Sequence, residues 1–225
     1  MLIYAILFIL LVVLYFGTIE TEGYRSETTL SEDGFVVVRS KNDAIKQLPE
    51  GYVFLDYEFI IDGCALATFH RDVTSSQSQF NTKYPVYTYI EYDYDGKTLA
   101  VCPGSHATRP YLFNHPVRLE SKNVLFNCEL VHAGVFNEER KPRVCKQYKI
   151  AHAEDLPKLE HLQGIQTTKY ADCSKPRNTA LDLFYRKMSI LFSYIINEHF
   201  TPYLQNRESG LLCKIIGEDR CFYNK

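Results

Sequence analysis

Between residues 34 and 150 the chain is a succession of short runs rich in β-branched and aromatic residues, each closed by a turn signal. Few folds accommodate that pattern. Residues 34–39 open it, and residues 42–48 read as a short helix with Asn42 or Asp43 near its N-cap. Residues 51–61 form a strongly β-branched and aromatic run. Residues 86–92 and 98–102 read as a hairpin, because Gly96 in the intervening Asp95-Gly96 accepts the positive φ that tight turns require. Residues 117–120 are a further strand, and Ser121-Lys122-Asn123 turns the chain into a run over 124–132. A loop over 133–142 precedes the last strand, 143–150. No segment repeats. The expectation is a mainly β domain, a sandwich or jelly roll, with the polar stretch 74–84 as a loop.

The flanks differ in character. Residues 2–16 are uninterrupted apolar, and residues 17–19 prolong the run to about the length of a bilayer-crossing helix. A cleaved signal peptide is the competing reading, but no Lys or Arg precedes the run and no convincing cleavage site follows it. An uncleaved single-pass anchor is therefore expected over 1–19, followed by an acidic tether over 20–33. Only Arg25 lies close by, so the side of the membrane is poorly signalled. The core is expected over 34–152, and a helical extension packed on it over 153–225. Within that extension residues 154–162 read as a short helix and 179–200 as a long one, with Leu181, Phe184, Tyr185, Met188, Leu191 and Ile195 at helical spacing.

The net charge of −2 leaves no basic footprint, so nucleic acid is not an expected partner. Seven cysteines include no CxxC pair, which argues against a zinc ribbon or a thioredoxin motif. Cys102, Cys128 and Cys145 lie inside apolar runs and read as buried thiols. Cys213 and Cys221 are the disulfide candidates for an oxidising compartment.

His70-Arg71-Asp72 carries the first sign of chemistry. On a strand or its frayed end, positions i and i+2 point to one side, so an imidazole and a carboxylate would converge. Two His and one carboxylate with open positions form the facial triad of non-haem Fe(II) oxygenases. His132, at the end of the apolar run 124–132, offers the second His. Arg143, eleven residues further on, offers a guanidinium fork suited to a dicarboxylate, with Arg140 as the fallback.

Four blocks occur in order. They are Phe69-His70-Arg71-Asp72, then Gly96-Lys97-Thr98-Leu99 running to Pro103-Gly104-Ser105-His106, then residues 124–134 with His132, then Asn137 and Arg143. Over roughly residues 50–150 this resembles the phytanoyl-CoA dioxygenase-like branch of the Fe(II)/2-oxoglutarate-dependent dioxygenases. The resemblance implies a double-stranded β-helix (jelly roll) with flanking helices, iron on His70, Asp72 and His132, and Arg143 on the distal carboxylate of 2-oxoglutarate. It implies hydroxylation coupled to decarboxylation of 2-oxoglutarate to succinate. The intact Asp72 speaks against the halogenases of the superfamily, which lack that carboxylate, and His106 reads as structural or as a rim residue. The expected protein is thus a membrane-anchored dioxygenase acting on an unidentified small molecule, lipid or peptide. The alternative is a membrane-anchored binding or structural protein that kept the fold without turnover. Small proteins of this kind occur in large DNA viruses as well as in cells.

Overall fold

The computed structural model describes residues 3–8, 28–63, 69–72, 82–94, 96, 98–107, 116–134 and 143–170. In chain order the elements are β1 (Phe35–Val37), a short helix (Lys41–Lys46), β2 (Tyr52–Gly63), β3 (Tyr87–Tyr92), β4 (Leu99–Val101) and β5 (Val117–Leu119). Then follow β6 (Asn123–Asn127), β7 (His132–Gly134), β8 (Arg143–His152), a 3-10 helix (Ala153–Lys158) and β9 (Gly164–Tyr170). A six-stranded sheet has the order β1-β6-β3-β8-β2-β9, and a three-stranded sheet the order β5-β4-β7. The pairing is antiparallel apart from β9, which runs parallel to β2. This mainly β, two-sheet arrangement is consistent with the expected jelly roll.

Strand alternation builds the core in two layers. One face of the large sheet supplies Phe35, Ile90, Tyr92, Val124, Phe126 and Cys145, which cluster with Leu99, Val101 and Leu119 of the small sheet. The other face supplies Tyr89, Leu125, Tyr148 and Ile150, which pack with Ala44 of the short helix. Central strands are therefore buried on both sides, which is why their sequences read as near-continuous apolar runs.

Four local readings change. The stretches 86–92 and 98–102 are strands but not a hairpin. Both edges of β3 are taken by β6 and β8, while β4 pairs with β5 and β7. Gly96 has the expected positive φ of 120°, but β3 before it and β4 after it belong to different sheets. The run 124–132 is likewise broken. The Asn127 side chain accepts a hydrogen bond from Glu129 N at 2.9 Å, and Leu130 N donates to Asn127 O at 2.8 Å. That turn carries the chain from β6 in the large sheet to β7 in the small one. The short helix is capped by Ser40, which accepts from Asp43 N at 3.2 Å, rather than by Asn42 or Asp43. Finally, Gly164–Tyr170 is an edge strand in a region read as helical, and the helix before it is a 3-10 turn.

Residues 3–8 are helical, and among the described residues no helix is long and apolar enough to cross a membrane. The remainder of the expected anchor, the 179–200 helix, and Cys213 and Cys221 lie outside the described residues. Cys102, Cys128 and Cys145 are buried free thiols, as read.

Candidate metal centre

His70 lies in a single bridge rather than a strand. Its N–H donates to His132 O at 3.0 Å, and His132 N–H returns the bond to His70 O at 2.9 Å. One antiparallel pair thus fixes two histidines side by side, their ring centroids 4.5 Å apart. The segment alternates as a strand would. Phe69, 2% exposed, packs with Ala100, Cys102, Val131 and Ala133. Arg71, also 2% exposed, donates through Nη2 to Ser105 O at 2.7 Å. His70 and Asp72 are thereby left to face His132.

The ligand atoms of His70, Asp72 and His132 all lie within 4.8 Å of one another. Asp72 Oδ1 is 3.7 Å from His70 Nε2 and 3.5 Å from His132 Nε2. Neighbouring donors on an ion with bonds of ~2.0–2.2 Å stand roughly 3 Å apart or slightly more, so a small inward adjustment would close this set on a metal. His132 is the best defined of the three candidate ligands. Its Nδ1 lies 2.9 Å from Leu130 O, and since a carbonyl only accepts, Nδ1 carries the proton. Nε2 therefore presents a lone pair, and this buried atom has no hydrogen-bond partner. A metal would supply the missing partner, and the bond from the other ring nitrogen is the usual orienting device for a ligating His. His132 is 2% exposed against 24% for His70, so the centre opens on the His70 side.

The electrostatics keep His132 and Asp72 in ligating form. Burial, with the neighbouring His70, pushes His132 down to about 4 against the pull of Asp72, so the imidazole is neutral at ordinary pH. Burial alone would raise Asp72, but the Lys149 ammonium, with the His132 and His70 rings beside it, outweighs burial and holds the carboxyl well below the usual carboxylate range.

Lys149 and Thr88 are residues that the motif reading missed. Lys149 Nζ donates to Asp72 Oδ2, to Thr88 Oγ1 at 2.7 Å, and lies 3.7 Å from Cys128 Sγ. Thr88 Oγ1 donates to Asp72 Oδ2 at 2.7 Å. Burial would lower Lys149, yet the Asp72 carboxylate raises it above the ordinary lysine value. Burial pushes the Cys128 thiol up to about 11, so it stands here as a thiol. Thr88 and Lys149 are direct cross-strand partners. The signal was strand parity: Thr88 alternates with the core residues Ile90 and Tyr92, and Lys149 with the core residue Cys145.

Ser105 explains the Pro103-Gly104-Ser105-His106 block. Its carbonyl receives Arg71, and its Oγ accepts from Val131 N at 2.9 Å, so one residue ties the His70–Asp72 segment to the strand bearing His132. His106, read as structural or as a rim residue, has its ring 3.2 Å from Ser31 O and close against Gly34, where an added Cβ would fall 2.5 Å from Nδ1. Arg143 opens β8 opposite Gly63. Its side chain, and the whole of Arg140, lie outside the described residues.

No family model matches the sequence, and no curated protein matches it. Solved structures overlap it partially. EvdMO1 does so at 17% identity and a TM-score of 0.38, over 49% of this chain and 30% of that one. SnoK, a non-heme alpha ketoglutarate dependent carbocyclase from nogalamycin biosynthesis, does so at 16% identity and a TM-score of 0.33, over 38% and 43%. HygX from Streptomyces hygroscopicus, with nickel and 2-oxoglutarate bound, does so at 11% identity and a TM-score of 0.38, over 55% and 84%. The chain thus spans under two thirds of the first two, and overlaps this low leave the assignment to the chain's own residues.

Proposed function

We propose that this chain is an Fe(II)/2-oxoglutarate-dependent dioxygenase of the phytanoyl-CoA dioxygenase-like branch, tethered to a membrane by residues 1–19, which hydroxylates a small molecule, lipid or peptide. The observation that carries the reading is the His70, Asp72 and His132 convergence around the partnerless Nε2 of His132. The donor set suits the group: two imidazoles and one carboxylate leave positions open for exogenous ligands, as in the facial triad. Bound iron would supply oxygen activation. The chain's own residues hold His132 in its Nε2 lone-pair tautomer, keep Asp72 ionised, and leave an approach on the His70 side.

Arg143 is assigned to the far carboxylate of 2-oxoglutarate, on the motif order and its position at the start of β8. A two-pronged, charge-assisted pair in a desolvated pocket exceeds the ~0–1 kcal/mol of a surface ion pair, and removing one partner of such a pair costs about 3–5 kcal/mol. Arg143→Ala should therefore raise the 2-oxoglutarate requirement for succinate release by about two orders of magnitude or more, with iron affinity nearly unchanged. Equal 2-oxoglutarate dependence in the two proteins would remove Arg143 from this role and pass it to Arg140.

The second reading is a membrane-anchored binding or structural protein that kept the fold without turnover. One observation favours it: Lys149 gives Asp72 a counter-charge of its own, so the carboxylate is satisfied without an ion. An anaerobic Fe(II) titration with and without 2-oxoglutarate separates the two. A dioxygenase binds 2-oxoglutarate once iron is loaded, and the binding protein takes up neither.

A further inference from the structure

We propose that Thr88 and Lys149 lock the Asp72 carboxylate so that it offers a metal one oxygen only, Oδ1. The inference rests on the metal-centre reading above and concerns how that centre is held.

The argument is a count of lone pairs. An ionised carboxylate has about four acceptor positions, two on each oxygen. On Oδ2 both are taken, one by the Thr88 hydroxyl at 2.7 Å and one by the Lys149 ammonium. Neither donor is free to leave. Thr88 has a single hydrogen, and it is committed to Oδ2. Its oxygen then accepts from Lys149 at 2.7 Å and from the Cys128 thiol at 3.2 Å. Lys149 has three hydrogens, directed at Asp72, Thr88 and Cys128. Both residues are cross-strand partners inside the large sheet, 0% and 8% exposed, so no solvent replaces either partner. Oδ1, in contrast, faces His70 and His132.

The consequence is a carboxylate aimed before any ion arrives, as a preorganised site requires. One-oxygen ligation also confines the protein to three positions around the ion and keeps the others available. Lys149 and Thr88 are positioning residues, acting through Asp72 rather than on a substrate.

The test uses Co(II), whose visible absorption follows its coordination. In the crystal structure of the Co(II)-loaded wild type, Oδ1 should lie ~2.0–2.2 Å from the ion. Oδ2 should remain on Thr88 and Lys149. Lys149→Met should shift the Co(II) spectrum as Oδ2 turns onto the ion. Thr88→Val should shift it in the same sense, whereas Thr88→Ser, which keeps the hydroxyl, should retain the wild-type spectrum. Should Lys149→Met fail to fold, the Val and Ser variants carry the comparison. Ligation through both oxygens in the wild type overturns the lock, as do identical spectra in wild type and every folded variant. A wild type that takes up no Co(II) overturns the metal centre and the lock together. A loaded wild type with both oxygens on the ion overturns the lock alone.

Discussion

At the scale of single residues, the candidate set of His70, Asp72 and the distal His132, which the fold brings together, was legible, because spacing and order are properties of the sequence. What holds them was not. Lys149 sits on a strand with Lys146 and Lys149 both written as ordinary charged positions, and only the register with Cys145 turns one outward and the other inward. Lys146 is exposed, while Lys149 is buried against Asp72. This changes what Asp72→Ala should do. Besides removing a candidate ligand, it strands the Lys149 ammonium in the interior, and breaking a buried pair costs roughly 3–5 kcal/mol. Asp72→Ala combined with Lys149→Met should recover much of that loss, since neither charge then remains buried. Urea unfolding of the metal-free proteins checks it; a double variant no more stable than Asp72→Ala would mean that the pair is not the source of the cost.

At the scale of elements, strand existence was legible and strand partnership was not. Asp95-Gly96 predicted a turn, and Gly96 has the positive φ that reading needs, but turn chemistry is local and does not say which edges β3 and β4 have free. The edges of β3 are filled by β6 and β8, both distant in sequence, and those of β4 by the next strand β5 and by β7. The strand β9 was missed for a related reason: it lies on a sheet edge with Ile165, Gln166 and Thr167 exposed in succession, so no apolar alternation marks it. The Lys41–Lys46 helix was found within a residue or two, yet its cap was misplaced because Asn42 and Asp43 are also good capping types. Ser40→Ala removes the acceptor for Asp43 N and should cost about 1 kcal/mol, within the ~0.5–2 kcal/mol usual for a lost cap. A thermal melt is sufficient to read it, and an unchanged midpoint would place the cap elsewhere.

At the scale of the whole molecule, the metal-free fold should respond to pH through its buried groups. His132 stands at about 4 when folded and near 6.5 when unfolded, so the unfolded chain binds more protons between those values. Stability therefore falls as pH drops from ~6.5 to ~4, by on the order of 3 kcal/mol. Asp72 is shifted down, so its contribution is present above the unfolded carboxylate value of ~3.9 and is lost below it, as pH falls toward the folded value. Lys149 is shifted up, so its contribution is complete below ~10.4 and is lost above it. Denaturant unfolding across this range should show a plateau near neutrality and two declining limbs. A bound metal should push the acid limb lower, because it competes with protons for the same nitrogens.

The central claim is that His70, Asp72 and His132 hold one metal ion. His70 is its mildest probe, being the most exposed of the three. Anaerobic calorimetric titration with Fe(II) should give one site per chain in the wild type. In His70→Ala it should give an affinity lower by two orders of magnitude or more, with the fold intact by circular dichroism. Equal Fe(II) affinity in the wild type and folded His70→Ala would contradict the account.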